Sequence, residues 1–263
     1  MMSEVSAFYL ADGFDRYLSQ PVTAGPWGPD SQHGGPPAAL LTRAVERLAR
    51  DEDRVVGRLT MELLGPVPLG PLRIEAAVVR PGRSVEMCEA TLYDEVRDRA
   101  CARAAVWLFP AIEDGPDQAD RPLPHGPADG VRKAWPASWW SGGYLDAVDW
   151  RWISGSVGEA GPGTVWMRPT VDLVEGEQMS AVQRLMVCVD SASGASSVLD
   201  PTAWGFLNTE LTVHVLRPPV GDWVCLDAET TLGRGSVGVT TSAVYDERGL
   251  VARSSQALLV AQR

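Results

Sequence analysis

One segment of this chain occurs twice. Sliding the sequence by 152 residues, without a gap, places Leu59-Thr60 on Leu211-Thr212, Leu64 on Leu216, Pro66 on Pro218 and Ala76 on Ala228. Ser84-Val85 falls on Ser236-Val237, Tyr93-Asp94-Glu95 on Tyr245-Asp246-Glu247, and Ala100 and Ala105 on Ala252 and Ala257. These are 12 identities across residues 59–109, several times what chance gives. A period this long, present twice, marks a duplicated domain rather than a solenoid of short repeats. A chain of 263 residues has room for two domains of ordinary size.

The repeated unit reads as α+β. Leu72 to Val78 alternates apolar and polar residues, the two-residue period of a half-buried strand. Ser84 to Tyr93 and Ala100 to Phe109 are further strands, separated by a turn at Asp94-Glu95. The second copy repeats these events at Val224 to Thr231 and Val237 to Tyr245. A turn at Asp246 to Gly249 follows, then Leu250 to Ala261. Short connections make such neighbours antiparallel. Each copy carries one helix upstream of its strands. Pro36 to Arg50 places Ala39, Leu40, Val45 and Leu48 at helical spacing, and a proline in the first turn is tolerated because its missing N–H would be unpaired anyway. Met179 to about Ser193 does the same with Val182, Leu185, Met186 and Val189, and Gly194 supplies a stop. A sheet with one apolar face needs cover, and one helix per unit provides it.

The predicted division is a first unit over 1–112, a linker over 113–143 and a second unit over 144–263. The linker is rich in Pro, Gly and Asp, including Glu113-Asp114-Gly115-Pro116-Asp117 and Pro122, Pro124 and Pro127. It leads into an aromatic cluster of Trp135, Trp139, Trp140, Trp150 and Trp152. These either cover a sheet face or form one wall of a pocket.

Composition narrows the function. A net charge of −11 disfavours nucleic-acid binding. No apolar run approaches the ~20 residues of a membrane span, and no signal peptide is evident, so a soluble cytoplasmic chain is expected. Cys88, Cys101, Cys188 and Cys225 form no CxxC pair, and the expectation is buried free thiols. His33, His125 and His214 lack zinc-ligand spacing, so neither a metal nor another cofactor is expected.

Three features resemble the acyl-CoA thioesterase II family: His33-Gly34-Gly35 before the first helix, the Leu211 to Pro218 strand ending in Arg-Pro, and a final strand carrying Gln256. The resemblance implies a double hotdog, two tandem units each with a central helix wrapped by a curved antiparallel sheet. It implies hydrolysis of acyl thioesters, with acyl-CoA or an acyl-carrier-protein thioester as substrate. The family's catalytic Asp maps to Asp190 and its Gln to Gln256. Its Thr position falls at Asn208, with Thr209 beside it; alternate strand residues face opposite ways, so one of the two faces the site. The repeat adds support, since Gln256 falls on Ala104, Asn208 on Val56 and Thr209 on Gly57. Polar groups in one half only point to one site per chain.

These residue types suit an activated water. Asp190 is the candidate general base, and Gln256 with Asn208 or Thr209 would hold the water. His33, Gly34 and Gly35 are candidates for oxyanion or substrate binding, because backbone N–H groups at a glycine-rich helix start favour negative charge. Arg80, Arg83, Arg217 and Arg234 are candidate contacts for coenzyme A phosphates. Two other readings stay open. One is an enoyl- or hydroxyacyl-thioester hydratase or dehydratase, against which Asp30 and His33 are three apart rather than about five. The other is a non-catalytic acyl-thioester-binding module. A homo-oligomer remains possible, because exposed sheet faces commonly pair.

Overall fold

A computed structural model describes residues 6–26, 28–48, 54–112, 125–135, 141–157, 159–200 and 203–263. In the first half, β1 (Ala7–Ala11) and β2 (Arg16–Ser19) precede α1 (Gly35–Glu46). Four long strands follow: β3 (Arg54–Leu63), β4 (Pro71–Arg80), β5 (Glu86–Asp94) and β6 (Arg99–Pro110). In the second half, β7 (Val148–Ser154), β8 (Gly163–Pro169) and β9 (Asp172–Val174) precede α2 (Ala181–Val189) and the single turn α3 (Ala192–Ala195). Then come β10 (Trp204–Asn208), β11 (Glu210–Val215), β12 (Val224–Leu232), β13 (Val237–Asp246) and β14 (Gly249–Gln262).

All strands join one sheet, in the order β7-β8-β12-β13-β14-β11-β3-β6-β5-β4-β2-β1-β9, with β10 also paired to β14. The two halves run in matching order outward from the β3–β11 junction. At that junction Thr60 pairs with Thr212, its own counterpart in the repeat, and their hydroxyls are 3.2 Å apart. An approximate twofold therefore passes between these two residues. The duplication extends to irregularities. The β5–β6 ladder slips between Leu92 and Tyr93, and the β13–β14 ladder slips between the equivalent Val244 and Tyr245. A second slip at Gly57 in β3 matches the break at Thr209 between β10 and β11. A bulge inserts one unpaired residue and bends the strand, so the two halves of the sheet bend at matching places.

Alternation puts one face of each strand against the helices. In β5, Cys88, Ala90 and Leu92 are fully buried, and α1 packs on β4, β5 and β6. In the other half α2 packs on β8 and β12. The two helices also pack on each other, which merges both units into one core. All four cysteines are buried and free.

Two expectations change, both at helix boundaries. The first helix begins at Gly35 and is helical through Glu46; residues 49–50 lie outside the described set. The second helix ends at Val189, with Asp190 as its C-cap, instead of running to Ser193, and Gly194 lies inside α3 rather than marking the stop. The cause is non-local: the Asp190 carbonyl accepts from the Gln256 side chain at 3.1 Å. The stretch 113–124 and the pair Trp139 and Trp140 lie outside the described residues. The described part of the expected linker holds a 3-10 turn at Pro127–Asp129 and a bridge from Val131 to Trp152. Among the described residues no helix is long and apolar enough to cross a membrane.

Candidate active site

The antiparallel helices bring the end of α2 onto the start of α1. A cavity of about 340 Å³ opens at this junction, near the lower end of the usual range for ligand pockets. His33, Gly34, Asp190 and Asn208 line its polar part, and Leu145, Trp150, Val67 and Phe206 are among its apolar walls.

Asp190 is 6% exposed, and a buried carboxylate needs donors. Its Oδ1 accepts from Asn208 Nδ2 at 2.7 Å and from Gln256 Nε2 at 3.1 Å. Gln256 is fully buried on β14, and its Oε1 accepts from the Ser193 N–H at 3.1 Å. Every polar atom of that amide therefore has a partner, and Gln256 stands behind the carboxylate rather than on the cavity wall. Asn208 and Thr209 both line the cavity, on either side of the strand break, and differ in their partners. Asn208 points to Asp190, whereas Thr209 directs both its N–H (2.9 Å) and its hydroxyl (3.4 Å) at the Ala257 carbonyl.

The other carboxylate oxygen, Asp190 Oδ2, lies 3.2 Å from His33 Nδ1. The same nitrogen accepts from the Gly35 N–H at 3.1 Å. One nitrogen cannot accept from Gly35 and donate to Asp190 at once. Burial lowers the imidazole pKa below its ordinary value, and the opposing pull of Asp190 is the smaller effect. The neutral ring with Nδ1 unprotonated satisfies Gly35, which puts the ring proton on Nε2.

The two glycines serve different needs. A Cβ at Gly34 would lie 2.7 Å from Asp190 Oδ2, so only glycine lets the carboxylate sit against the helix start. A Cβ at Gly35 would lie 2.1 Å from the Val187 carbonyl, so this glycine permits the helix–helix approach. Gly35 does not line the cavity and its N–H is engaged. Among the described residues the Gly34 N–H has no acceptor.

Sequence reasoning missed Tyr144. Its ring stacks on His33 at 3.8 Å and 6°, and its hydroxyl donates to the Val187 carbonyl at 2.8 Å with Ser191 Oγ 2.9 Å away. Burial pushes the phenol pKa well up, so it stays protonated. The one available signal was its place beside the tryptophan cluster. Of that cluster, Trp150 lines the cavity, with Trp135 edge-on to it at 5.1 Å and Trp152 stacked at 6.3 Å.

None of the four candidate arginines lines the cavity. Arg217 makes a two-pronged ion pair with Asp246 at 2.5 and 2.6 Å. Arg80 bonds the Val85 carbonyl at 3.0 Å and lies over Trp107. Arg83 and Arg234 are exposed in strand connections. Asp30 is exposed and outside the cavity lining. Among the described residues no group of His, Cys, Asp and Glu could hold a metal ion.

Comparison with known families decides the kinship. Residues 23–109 match the acyl-CoA thioesterase N-terminal domain, and residues 127–260 match the acyl-CoA thioesterase C-terminal domain. The chain belongs to the acyl-CoA thioesterase family. Solved structures share this family's hotdog architecture over nearly the whole length. A putative thioesterase II from Thermobifida fusca is 19% identical with a TM-score of 0.75, covering 97% of this chain and 96% of that one. An acyl-CoA thioesterase II from Mycobacterium marinum is 15% identical with a TM-score of 0.70, over 97% and 96%. A hotdog-fold protein of unknown function from Alicyclobacillus acidocaldarius is 19% identical with a TM-score of 0.72, over 96% and 95%. No curated protein sequence matches.

Proposed function

We propose that this member of the acyl-CoA thioesterase family hydrolyses acyl thioesters by direct attack of water, with acyl-CoA as the substrate class. The observation that carries the reading is the buried Asp190 carboxylate, held by Asn208 and Gln256 at the edge of a largely apolar cavity. Two donors on Oδ1 fix the group's orientation, and Oδ2 is left to take a proton from water. The Asn208 amide, anchored to the same carboxylate, is the group beside which that water would sit. The thioester carbonyl needs donors where negative charge develops. The Gly34 N–H and the Nε2–H of neutral His33 fill that role, and Gly35 holds His33 in the required tautomer. Gly35 thus acts through His33 rather than on the substrate.

The reaction adds water across the acyl–sulfur bond. The water oxygen bonds the carbonyl carbon, Asp190 takes a water proton, the C–S bond breaks, and the proton goes to the leaving thiolate. The products are a carboxylic acid and a free thiol. In this reading the two fused units share one site, and the domain division of 1–112, 113–143 and 144–263 is kept.

Release of free thiol from acyl-CoA tests the proposal, with Asp190→Ala as control. Thiol release by the wild type that the variant loses supports it. Loss of enoyl-CoA absorbance without thiol release would favour a hydratase. Tight acyl-CoA binding with neither signal would favour a binding module.

A further inference from the structure

We infer that Trp150 closes the acyl end of the cavity and limits the substrate to acyl groups of about eight carbons or fewer. The inference rests on the thioester reading and adds its substrate class. It starts from a gradient of exposure around the cavity. On one side the lining residues are open to solvent: Leu207 is 55% exposed and Leu259 45%, and Thr209 and Pro66 are exposed too. On the other side Trp150 and Leu145 are each 7% exposed and Ala195 is 3% exposed. Asp190, His33 and Gly34 join the two sides. A bulky, hydrated thiol carrier must stay on the open side, so the acyl chain takes the closed apolar side.

Trp150 is fixed in place. Its Nε1 donates to the Leu145 carbonyl at 3.0 Å, and its ring is wedged edge-on between Tyr144 at 6.1 Å and Trp135 at 5.1 Å, with Trp152 stacked behind. A ring held on three sides by aromatics cannot swing aside for a longer chain. The same rings set an upper bound on the depth of the chamber. Two centroid steps, 3.8 Å and 6.1 Å, lead from His33 through Tyr144 to Trp150. An extended chain advances about 1.2 Å per bond, because three backbone bonds span about 3.6 Å. The two steps together are the greatest separation the His33 and Trp150 rings can have, so at most about eight bonds carry a chain from the carbonyl beside His33 to the indole. A cavity of about 340 Å³ agrees with a short or medium acyl group.

The test measures kcat/KM for straight-chain acyl-CoA thioesters from butanoyl to hexadecanoyl, for the wild type, Trp150→Phe and Trp150→Ala. Isothermal titration of the matching non-hydrolysable thioethers runs in parallel. Wild type is expected to favour octanoyl and shorter chains over hexadecanoyl by about tenfold or more, the discrimination that a few methylenes in a tight pocket give. Trp150→Ala is expected to raise the dodecanoyl-to-hexanoyl ratio by about tenfold, with Trp150→Phe between the two. Near-ultraviolet circular dichroism confirms that each variant is folded; if Trp150→Ala is not, Trp150→Phe decides. An unchanged chain-length profile in a folded variant overturns the inference, as does a wild type that handles hexadecanoyl as well as octanoyl. A length cut-off in thioether binding that moves with Trp150, without thiol release, upholds the inference and overturns the hydrolytic reading instead.

Discussion

The two junctions between α1 and α2 are built by the same fold and filled in opposite ways. At one, α2 ends on the start of α1, and Asp190 meets Gly34 beside an open cavity. At the other, α1 ends on the start of α2, and Glu46 meets Ser180 and Gln183, accepting from them at 2.9 and 2.5 Å. Both are acids at helix ends. The difference lies in what faces them. Ser180 caps its helix and bonds Glu46, and Gln183 completes a capping box, so both side chains direct donors at the acid and fill the space around it. Gly34 has no side chain, so a backbone donor and space remain. Next to Glu46, Arg43 grips Glu177 at 2.7 and 2.6 Å and bonds the Tyr17 hydroxyl at 2.7 Å. The sheets differ in the same sense. Where the second half has Asn208, Thr209 and Gln256, the first has Val56, Gly57 and Ala104, and the Phe109 ring lies over Gly57. Of the two equivalent junctions, one is a bonded joint around its carboxylate and the other leaves a cavity beside its own.

Substitutions at the two junctions separate their roles. The largest effect should come from Gly34→Ala, whose Cβ would occupy the space of the Asp190 carboxylate. Thiol release is expected to fall about a hundredfold or more, the scale of a lost general base, while the melting temperature changes little. Gln256→Ala and Asn208→Ala each remove one donor from Asp190 and should lower kcat about tenfold, the worth of a hydrogen bond to a charged group. If either leaves kcat intact, the support assigned to the carboxylate is wrong. Gly35→Ala should act on stability instead, because its Cβ strikes the Val187 backbone. Denaturant unfolding should show a loss of about 1–3 kcal/mol, the usual cost of overpacking. Smallest is a pH effect. Burial lowers the folded pKa of His33, so the unfolded chain binds the proton first. Its contribution is intact above about pH 6.5, the ordinary histidine value, and is lost as pH falls from there towards the folded value. His33→Asn should flatten the melting temperature over that window.

The sequence revealed the sheet better than the helices. The ungapped 152-residue register holds from β3 to β6 against β10 to β14, even to the matched slips at Leu92/Tyr93 and Val244/Tyr245. The helices do not keep it: Gly35 opens α1, whereas its counterpart Val187 lies inside α2. Strand pairing constrains register residue by residue, but a helix can shift along a sheet. The end of α2 was hidden because Gln256, 66 residues away, takes the Asp190 carbonyl. Asp190, Asn208 and Gln256 could be named only through the family resemblance, and their meeting could not be derived from spacing. The roles of Gly34 and Gly35 looked alike in sequence because both lack a side chain. They separate only when the atoms facing each one are known.

The carboxylate at the open junction is expected to act in the reaction, and its counterpart at the closed junction is not. The direct measurement is kcat for octanoyl-CoA hydrolysis by Asp190→Asn and Glu46→Gln, each checked for native circular dichroism. We expect the first to fall by a factor of about 10² to 10⁴ and the second to stay within about twofold of wild type, as for a substitution away from the chemistry. Equal activities in the two variants, or full activity in Asp190→Asn, would contradict that expectation.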